Sequence, residues 1–281
     1  MHSNCSSKNT TPKISVIMGV FNGEKFLGEA VDSILGQTYE DFEFIICNDC
    51  SKDGSMEILR KYEKLDSRIV LLENERNLGL AATLNKCLHI ASGQWIARMD
   101  CDDRSLPNRF ECQLAWLESH PEVCALGCAV EYIDDSGQIF GRSHMDHDQY
   151  FRLKDAVKRS ALVHPSVMMR KTDVIAVGGY SVNSLTTRAE DYDLWCKLCE
   201  NGAILANTAQ ILFQYREDES NIVKRKYKHR IQEARLKWHW ICRAKSSVIQ
   251  LVYALKPLLV GLIPLGIYKK MHRKNLTTKN M

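Results

Sequence analysis

The sequence predicts an α/β protein with a mostly parallel sheet, helices on both faces of the sheet, and a basic, apolar helical tail. Three observations support this fold class. Short apolar runs suited to buried strands alternate with segments of helical spacing throughout residues 13–99. Polar clusters follow three of these runs, at the positions where the strands would end. The tail differs in charge, because residues 221–281 hold fifteen basic side chains and one acidic side chain, Glu233.

The first half of the chain predicts four strands connected by three helices. The apolar runs lie at residues 13–20, 42–48, 69–72 and 94–99. The segments of helical spacing lie between them, at residues 24–37, 56–65 and 80–91. A helix between two strands brings the chain back to the same end of the sheet, so this β-α-β-α-β-α-β order predicts parallel strands.

The second half predicts a more mixed arrangement. Residues 107–120 predict a helix, residues 123–130 a strand, and residues 134–137 a hairpin turn. Residues 145–160 predict a charged helix, residues 162–170 a further strand, and a last helix begins at Asp191. His144 and His147 are either a pair of metal ligands or solvated surface side chains, and we favour the surface.

Composition and cysteine usage indicate a cytoplasmic globular protein. The chain has 281 residues, of which 45% are hydrophobic and 26% charged, which suits one large domain plus an appendage. The polar N-terminus lacks the apolar segment of a signal peptide, and we expect disorder over residues 1–12. The eleven cysteines are scattered. Cys196 and Cys199 form a CxxC inside a predicted helix, which favours reduced, buried thiols over a zinc site.

The tail predicts contact with an anionic membrane surface. The other 220 residues hold 23 basic and 33 acidic side chains, so an acidic body precedes a basic tail at 221–281. Residues 248–268 are apolar over nearly the length that spans a bilayer, but Lys256, Pro257 and Pro264 interrupt them. We favour an interfacial or re-entrant helix; a true span and a helix docked on the protein's own core remain open. Nucleic acid is not expected, because the basic residues accompany an apolar stripe rather than stacking aromatics.

The three polar clusters predict a metal–nucleotide site at one sheet edge. They are residues 21–24, 49–53 and 100–103. Ligands of such sheets bind at the carboxyl ends of the strands, and the first turn has no GxGxxG for a dinucleotide. Bare carboxylates would repel a phosphate, whereas Mg²⁺ or Mn²⁺ binds both. Asp100 and Asp102 are two residues apart, so an extended chain would point both at one metal. Asp103 is left unassigned, with helix capping as its alternative.

The chain resembles family 2 glycosyltransferases of the GT-A fold, a Rossmann-like α/β architecture. The resemblance covers residues 13–112 almost continuously. The segments that carry it are residues 15–24, 33–39, 48–55, 77–79 and 97–109, the last reading ARMDCDDRSLPNR. It implies a single GT-A domain at residues 13–220, with a nucleotide-binding half at 13–112 and an acceptor half at 113–220.

The resemblance implies roles on the donor side. Phe21 would pack on the nucleobase, with Asn22 and Glu24 lining the same pocket, and Asp49 would accept a hydrogen bond from uracil. Asn77 and Arg98 would border the nucleotide. In the DxD motif, Asp102 would bind the metal, and Asp100 would meet the ribose or the metal. The remaining donor contacts implied by the resemblance are His164, near the donor sugar, and Arg216, near the phosphates.

On the acceptor side, Glu190 and Asp191 match the family's ED motif. The resemblance implies that Asp191 is the general base and that Glu190 shapes the site or contacts the acceptor. For Glu190–Asp191 the structural alternative is helix capping, and for His164 it is a hydrogen-bonded core histidine. The QxxRW motif of processive synthases is missing, which argues for transfer of one sugar.

We therefore expect an inverting, metal-dependent transfer of one hexose from a UDP-sugar, with galactose the first candidate. The expected acceptor is a polyprenyl-diphosphate-linked sugar of bacterial O-antigen or capsule assembly, at the cytoplasmic face of the inner membrane. Two other classes stay open. A nucleotidyltransferase would need a basic residue near the α-phosphate, where the first turn offers only Lys25. A non-catalytic nucleotide- or carbohydrate-binding protein at the membrane would not need Asp191.

Overall fold

The computed structural model describes residues 11–143, 145–217, 227–245, 250–264, 266–268 and 271. The strands of the first half are β1 (Ile14–Val20), β2 (Phe42–Asn48), β3 (Ile69–Glu73) and β4 (Trp95–Asp100). The helices between them are α1 (Leu27–Leu35), α2 (Ser55–Leu65) and α3 (Leu80–Ile90). These strands pair in parallel in the order β3-β2-β1-β4, as the sequence predicts.

The second half extends the same sheet with both parallel and antiparallel pairs, and β6 and β10 run parallel to each other. Its strands are β5 (Arg104–Ser105), β6 (Val123–Ile133), β7 (Ile139–Arg142), β8 (Gln149–Phe151), β9 (Met168–Arg170) and β10 (Ile204–Arg216). Its helices are α4 (Arg109–Ser119), α5 (Leu153–Ala156), α6 (Lys171–Ala176) and α7 (Glu190–Glu200). The sheet continues from β4 through β9, β6 and β10 to β5, and β9 runs antiparallel to both β4 and β6. The hairpin turn predicted at 134–137 joins β6 to β7.

Helices cover both faces of the sheet, as expected. Helices α1, α2 and α4 pack on one face, and α3, α6 and α7 on the other. Strand β1 shows the consequence for sequence: every residue of ISVIMGV is buried except Gly19, so the run does not alternate. A strand that is buried on both faces reads as a continuous apolar run, which is why the sequence located these strands well.

Two predicted elements of the second half are wrong. Residues 145–160 form strand β8 and the short helix α5 rather than one helix. Strand β8 pairs with β10, and this partner from far along the chain outweighs the local helical preference. Residues 162–170 are not one strand, because a 3₁₀ turn at His164–Ser166 precedes β9. Pro165 lacks the N–H that a strand ladder requires.

The described part of the tail forms two helices, α8 (Tyr227–Arg243) and α9 (Leu251–Gly261). Leu236, Trp240 and Ile241 of α8 are buried in the same cluster as α7. The Trp240 Nε1–H donates to Asp193 Oδ1 at 2.9 Å. Helix α8 is therefore part of the protein core. Among the described residues, no helix has both the length and the apolarity to cross a bilayer.

Candidate active site

The acid cluster lies where β4 ends. Asp100 is the last residue of β4, and the chain turns at Cys101 and Asp102. The extended spacing predicted for Asp100 and Asp102 is therefore wrong. The turn nevertheless brings one carboxylate oxygen each of Asp100, Asp102 and Asp103 within 4.8 Å of one another. The sequence left Asp103 unassigned, and its side chain caps no helix: Oδ1 accepts the Arg216 N–H at 2.7 Å.

Burial and mutual repulsion disfavour the ionised form of the carboxylates in this cluster. Burial, followed by the charge of Asp100, raises the pKa of Asp102 to about 6. The same two effects, with Asp102 added, raise the pKa of Asp103 well above its usual value. Asp103 Oδ2 is buried and has no hydrogen-bond partner among the described residues. Three crowded hard oxygen donors with an unused buried oxygen fit a divalent cation such as Mg²⁺ or Mn²⁺.

Arg98 supplies the positive charge beside the cluster. Its side chain is 1% exposed and forms an ion pair with Asp100. Burial opposes the charge of the guanidinium, but the nearby Asp100 carboxylate prevails and raises the pKa of Arg98. Arg98 Nε is buried and has no hydrogen-bond partner among the described residues. The pairing with Asp100 places Arg98 at the predicted site.

The loops after β1 and β2 are bound to each other. Asn22 has φ of 53°, a conformation that Asn tolerates better than most residues. Its Oδ1 accepts the Lys52 N–H at 2.8 Å. Glu24 Oε2 accepts the Gly54 N–H at 2.9 Å, just before α2 begins. Asn22 and Glu24 thus fix the loop on which Phe21 lies, and Phe21 itself is 49% exposed.

Asp49 shapes the neighbouring turn. It is buried, and its Oδ1 accepts from the Leu78 N–H and the Asn74 Nδ2–H, both at 2.8 Å. Its Oδ2 accepts the N–H of Gly79 at 2.9 Å. Gly79 has φ of 83°, which requires glycine here. The exposed Asn77 lies on the same turn, with Nδ2 at 3.5 Å from the Asp49 carbonyl. The carboxylate that is predicted to contact uracil is therefore already bonded to residues 74–79, which it orders.

The acid pair on the acceptor side opens helix α7. Glu190 and Asp191 are its first two residues, where the helix dipole favours carboxylates. Asp191 Oδ2 accepts a hydrogen bond from Ser160 Oγ at 2.9 Å. Burial, followed by the charge of Asp191, raises the pKa of Glu190 to about 7. Arg98 and Asp100 also influence this pKa, so the pair lies within electrostatic range of the acid cluster.

A small pocket lies between the turn after β3 and the segment that leads into α7. Its volume is about 190 Å³. One wall is formed by residues 78–81, which follow the turn ordered by Asp49, and the opposite wall by residues 181–190 including Glu190. The turn ordered by Asp49 and the first residue of the ED pair, Glu190, therefore line the same pocket.

The partly buried His164 and the buried Tyr180 form a hydrogen-bonded pair. His164 Nε2 and Tyr180 Oη are 2.7 Å apart, and the imidazole ring packs edge-on against Trp195. Burial and then Arg98 hold the pKa of His164 well below its usual value, so the ring is neutral. This is the arrangement of a hydrogen-bonded core histidine, the alternative that the sequence left open. A contact of His164 with the donor sugar stays a prediction.

Arg216 occupies a position that the sequence did not indicate. It is 2% exposed, and its guanidinium donates to the carbonyl of Asp102 at 2.7 Å, to the carbonyl of Asp134 at 2.6 Å and to Glu29 at 2.8 Å. These bonds tie the end of β10 to the acid cluster. The predicted phosphate contact would require Arg216 to leave these partners, so it too stays a prediction.

The remaining predicted features lie away from the site or outside the described residues. His147 is exposed, as favoured, whereas His144 falls outside the described residues. Cys196 and Cys199 are buried and reduced in α7. Sequence reasoning missed Ser160 and Tyr180. The sequence carries no signal for Ser160, because its bond to Asp191 depends on the packing of α5 against α7. For Tyr180 the sequence offers only the two preceding glycines, which are typical of a loop.

Comparison with known proteins places this geometry in a family. The family model "Glycosyl transferase family 2" matches residues 15–177. The chain belongs to glycosyltransferase family 2 and is a glycosyltransferase.

Individual relatives align over nearly the whole chain. The glycosyltransferase EpsE of Bacillus subtilis is 35% identical over 95% of this chain and 96% of its own length. An Escherichia coli relative is 30% identical over 95% of this chain and 98% of its own. It is named UDP-Gal:alpha-D-GlcNAc-diphosphoundecaprenol beta-1,3-galactosyltransferase. The structure of S. aureus TarS 1-349 in complex with UDP superimposes with a TM-score of 0.61 at 16% identity, covering 95% of this chain and 90% of that one. This likeness shows the GT-A fold.

Proposed function

We propose that this enzyme transfers one hexose from a UDP-sugar to an acceptor hydroxyl, with inversion and with a divalent metal. One observation carries the proposal. The acid cluster at the end of β4 lies close enough to the Glu190–Asp191 pair for the charges of Arg98 and Asp100 to influence the pKa of Glu190. A transferase needs both parts, one for the leaving nucleotide and one for the acceptor proton.

On the donor side, the loops after β1 and β2 hold the nucleotide. Phe21 offers an exposed ring to the uracil, on a loop fixed by Asn22 and Glu24. Asp49 presents the turn that carries Asn77, and Arg98 borders the nucleotide. Asp102 and Asp100 would hold Mn²⁺ or Mg²⁺, with Asp103 as the third oxygen donor. The bound metal would stabilise the negative charge that develops on the departing UDP.

On the acceptor side, Asp191 acts as the general base. The acceptor oxygen attacks the anomeric carbon opposite the UDP, and its proton passes to the Asp191 carboxylate. A single in-line displacement inverts the anomeric centre, so an α-linked donor gives a β-linkage. Ser160 orients the Asp191 carboxylate through the bond of 2.9 Å. Glu190 shapes the acceptor pocket beside it.

Galactose is the proposed sugar and a lipid-diphosphate-linked GlcNAc the proposed acceptor. The name of the Escherichia coli relative contains both, and that relative aligns over nearly the full length of both chains. The proposed process is assembly of bacterial surface polysaccharide such as O-antigen, at the cytoplasmic face of the inner membrane.

The test is a panel of nucleotide sugars with a synthetic GlcNAc-diphospholipid acceptor and Mn²⁺. We expect one UDP-hexose to give a product, and mass spectrometry and NMR to show one added β-linked sugar. UDP release without any product, for every donor and acceptor offered, would contradict the proposal. Binding of UDP without turnover would instead favour the non-catalytic binding protein.

The tail is proposed to hold the enzyme at an anionic membrane surface. Its support is the combination of the basic charge of residues 221–281 with the exposed apolar side chains of α9. Deleting residues 246–281 leaves α8 on the core and should release the enzyme from cell membranes. Unchanged association of this variant with the membrane fraction would contradict the role of the tail.

A further inference from the structure

We propose that a groove between residues 147–159 and helix α9 binds the diphosphate of the lipid-linked acceptor. This inference rests on the proposed function, and it assigns a position to the acceptor that the donor-side residues do not. The groove has a volume of about 810 Å³ and opens to solvent. Its cationic side chains are Lys158, Arg159 and Lys256.

The charges that line the groove favour an anion. Its two carboxylates have partners: Asp155 pairs with Lys158 at 2.9 Å, and Asp148 accepts from Trp116 Nε1 and the Ala209 N–H, both at 2.8 Å. Lys256 is exposed and forms no ion pair with any described residue.

Arg159 provides the second exposed cation. Its guanidinium lies over the Phe151 ring, and its contact with Gln149 is long, at 3.4 Å. A guanidinium and an ammonium facing one groove match the several oxygens of a diphosphate.

The segment that lines the groove continues directly to a residue that contacts the proposed base. Ser160, which donates to Asp191, is the residue directly after Arg159. The Tyr192 hydroxyl donates to the Val157 carbonyl at 2.9 Å and fixes the same segment to α7. In a diphosphate-linked sugar, one sugar ring separates the phosphate from the hydroxyl that attacks. A diphosphate near Arg159 would therefore place that hydroxyl near Asp191.

The other wall of the groove suits the lipid chain. Helix α9 buries Ala254 and Pro257 and lines the groove with Tyr253 and Lys256. The apolar residues Val252, Leu255, Leu259 and Leu262 are between 50% and 70% exposed. Their three- and four-residue spacing places them on one side of the helix, next to Lys256. An apolar face bordering a basic groove matches a ligand with a diphosphate head and a hydrocarbon tail.

The test compares two acceptors that differ only in the diphosphate. Both carry GlcNAc and the same alkyl chain in neutral detergent, and one is a simple alkyl glycoside. We expect the wild-type enzyme to prefer the diphosphate acceptor. In the double variant Arg159→Gln/Lys256→Gln, kcat/KM for this acceptor should fall by roughly tenfold or more, the loss typical of a charge-assisted hydrogen bond. The value for the alkyl glycoside should stay within about twofold.

A charge-matched control is Arg60→Gln/Lys64→Gln, two exposed positions on α2, which should change neither value. An unchanged preference in the Arg159/Lys256 variant, or an equal loss for both acceptors, would overturn the groove proposal. A loss of binding to phosphatidylglycerol vesicles with the preference intact would also overturn it, because the groove would then serve the general lipid surface. If the wild-type enzyme transfers sugar to neither acceptor, the proposed function is contradicted, and the groove proposal that rests on it is contradicted too.

Discussion

The two acid clusters of the site differ in what surrounds their carboxylates. Asp100, Asp102 and Asp103 are crowded together in a buried turn, with Arg98 and Arg216 beside them. Glu190 and Asp191 lie at a helix N-terminus, where the Ser160 hydroxyl donates a hydrogen bond to Asp191. Crowded, buried acids favour binding a cation, whereas a carboxylate bonded to a neutral hydroxyl is suited to accepting a proton. In the proposed mechanism, the first cluster would therefore serve the leaving group and the second the acceptor.

The largest expected effect is a loss of sugar transfer when the proposed base on the acceptor side is removed. Asp191→Asn keeps the shape of the side chain but removes the base, so transfer should fall by roughly 10²–10⁴-fold, the usual contribution of a general base. Calorimetry should show unchanged binding of UDP with Mn²⁺. The matched control is Asp173→Asn, a change at a surface ion pair of α6. If the Asp191→Asn variant transfers sugar at the wild-type rate, Asp191 is not the base.

The next effect isolates the metal at the donor cluster. Excess Mn²⁺ at about 100 times its Kd should stabilise the fold by about 2.7 kcal/mol at pH 7.5, which raises Tm by several degrees. The pKa of Asp102 is about 6, so protons displace the metal as the pH falls below that value. The rise in Tm should therefore shrink by about pH 5. Thermal unfolding with and without Mn²⁺ measures the rise in Tm at each of the two pH values.

The control for the metal prediction is Asp102→Asn, which should abolish the Mn²⁺ effect at both pH values. In the absence of metal the stability of this variant relative to the wild type should increase as the pH rises. The sign follows because a carboxyl with a raised folded-state pKa binds more protons in the folded state than in the unfolded state. Ionisation of Asp102 between its unfolded and folded pKa values therefore costs stability, and Asn does not ionise. An equal Mn²⁺ effect in the variant would place the metal elsewhere.

The smallest effect concerns Glu190. Its pKa of about 7 means that it ionises within the working range. Above that pH its charge, next to Asp191, should make Asp191 a stronger base, so wild-type kcat/KM should rise through pH 7. Glu190→Gln should lose less than about tenfold and should lack this inflection. Glu190→Asp retains a carboxyl and should restore it. A Gln variant with the wild-type pH profile would show that Glu190 does not act on Asp191.

The sequence predicted the donor side better than the acceptor side, for a physical reason. Strands β1 to β4 are continuous apolar runs, and each polar cluster follows one directly, so chain order alone brings Asp49 and Asp100 to one edge. Strand β8 depends on pairing with β10, a partner more than fifty residues away, and no local pattern reveals it. The same applies to Ser160, which meets Asp191 only because α5 packs on α7. Asp103 was visible as an acid, but its burial depends on β10.

The bonds of Arg216 have a consequence for the order in which the protein is made. The Arg216 N–H and guanidinium bind Asp103 and the Asp102 carbonyl, which lie 113 and 114 residues earlier. During synthesis, β1 to β4 leave the ribosome long before β10 exists. A nascent chain that holds the first four strands therefore carries its acids without the residue that fixes their turn. The turn that carries the three acids is therefore completed only after the last strand of the sheet has been made.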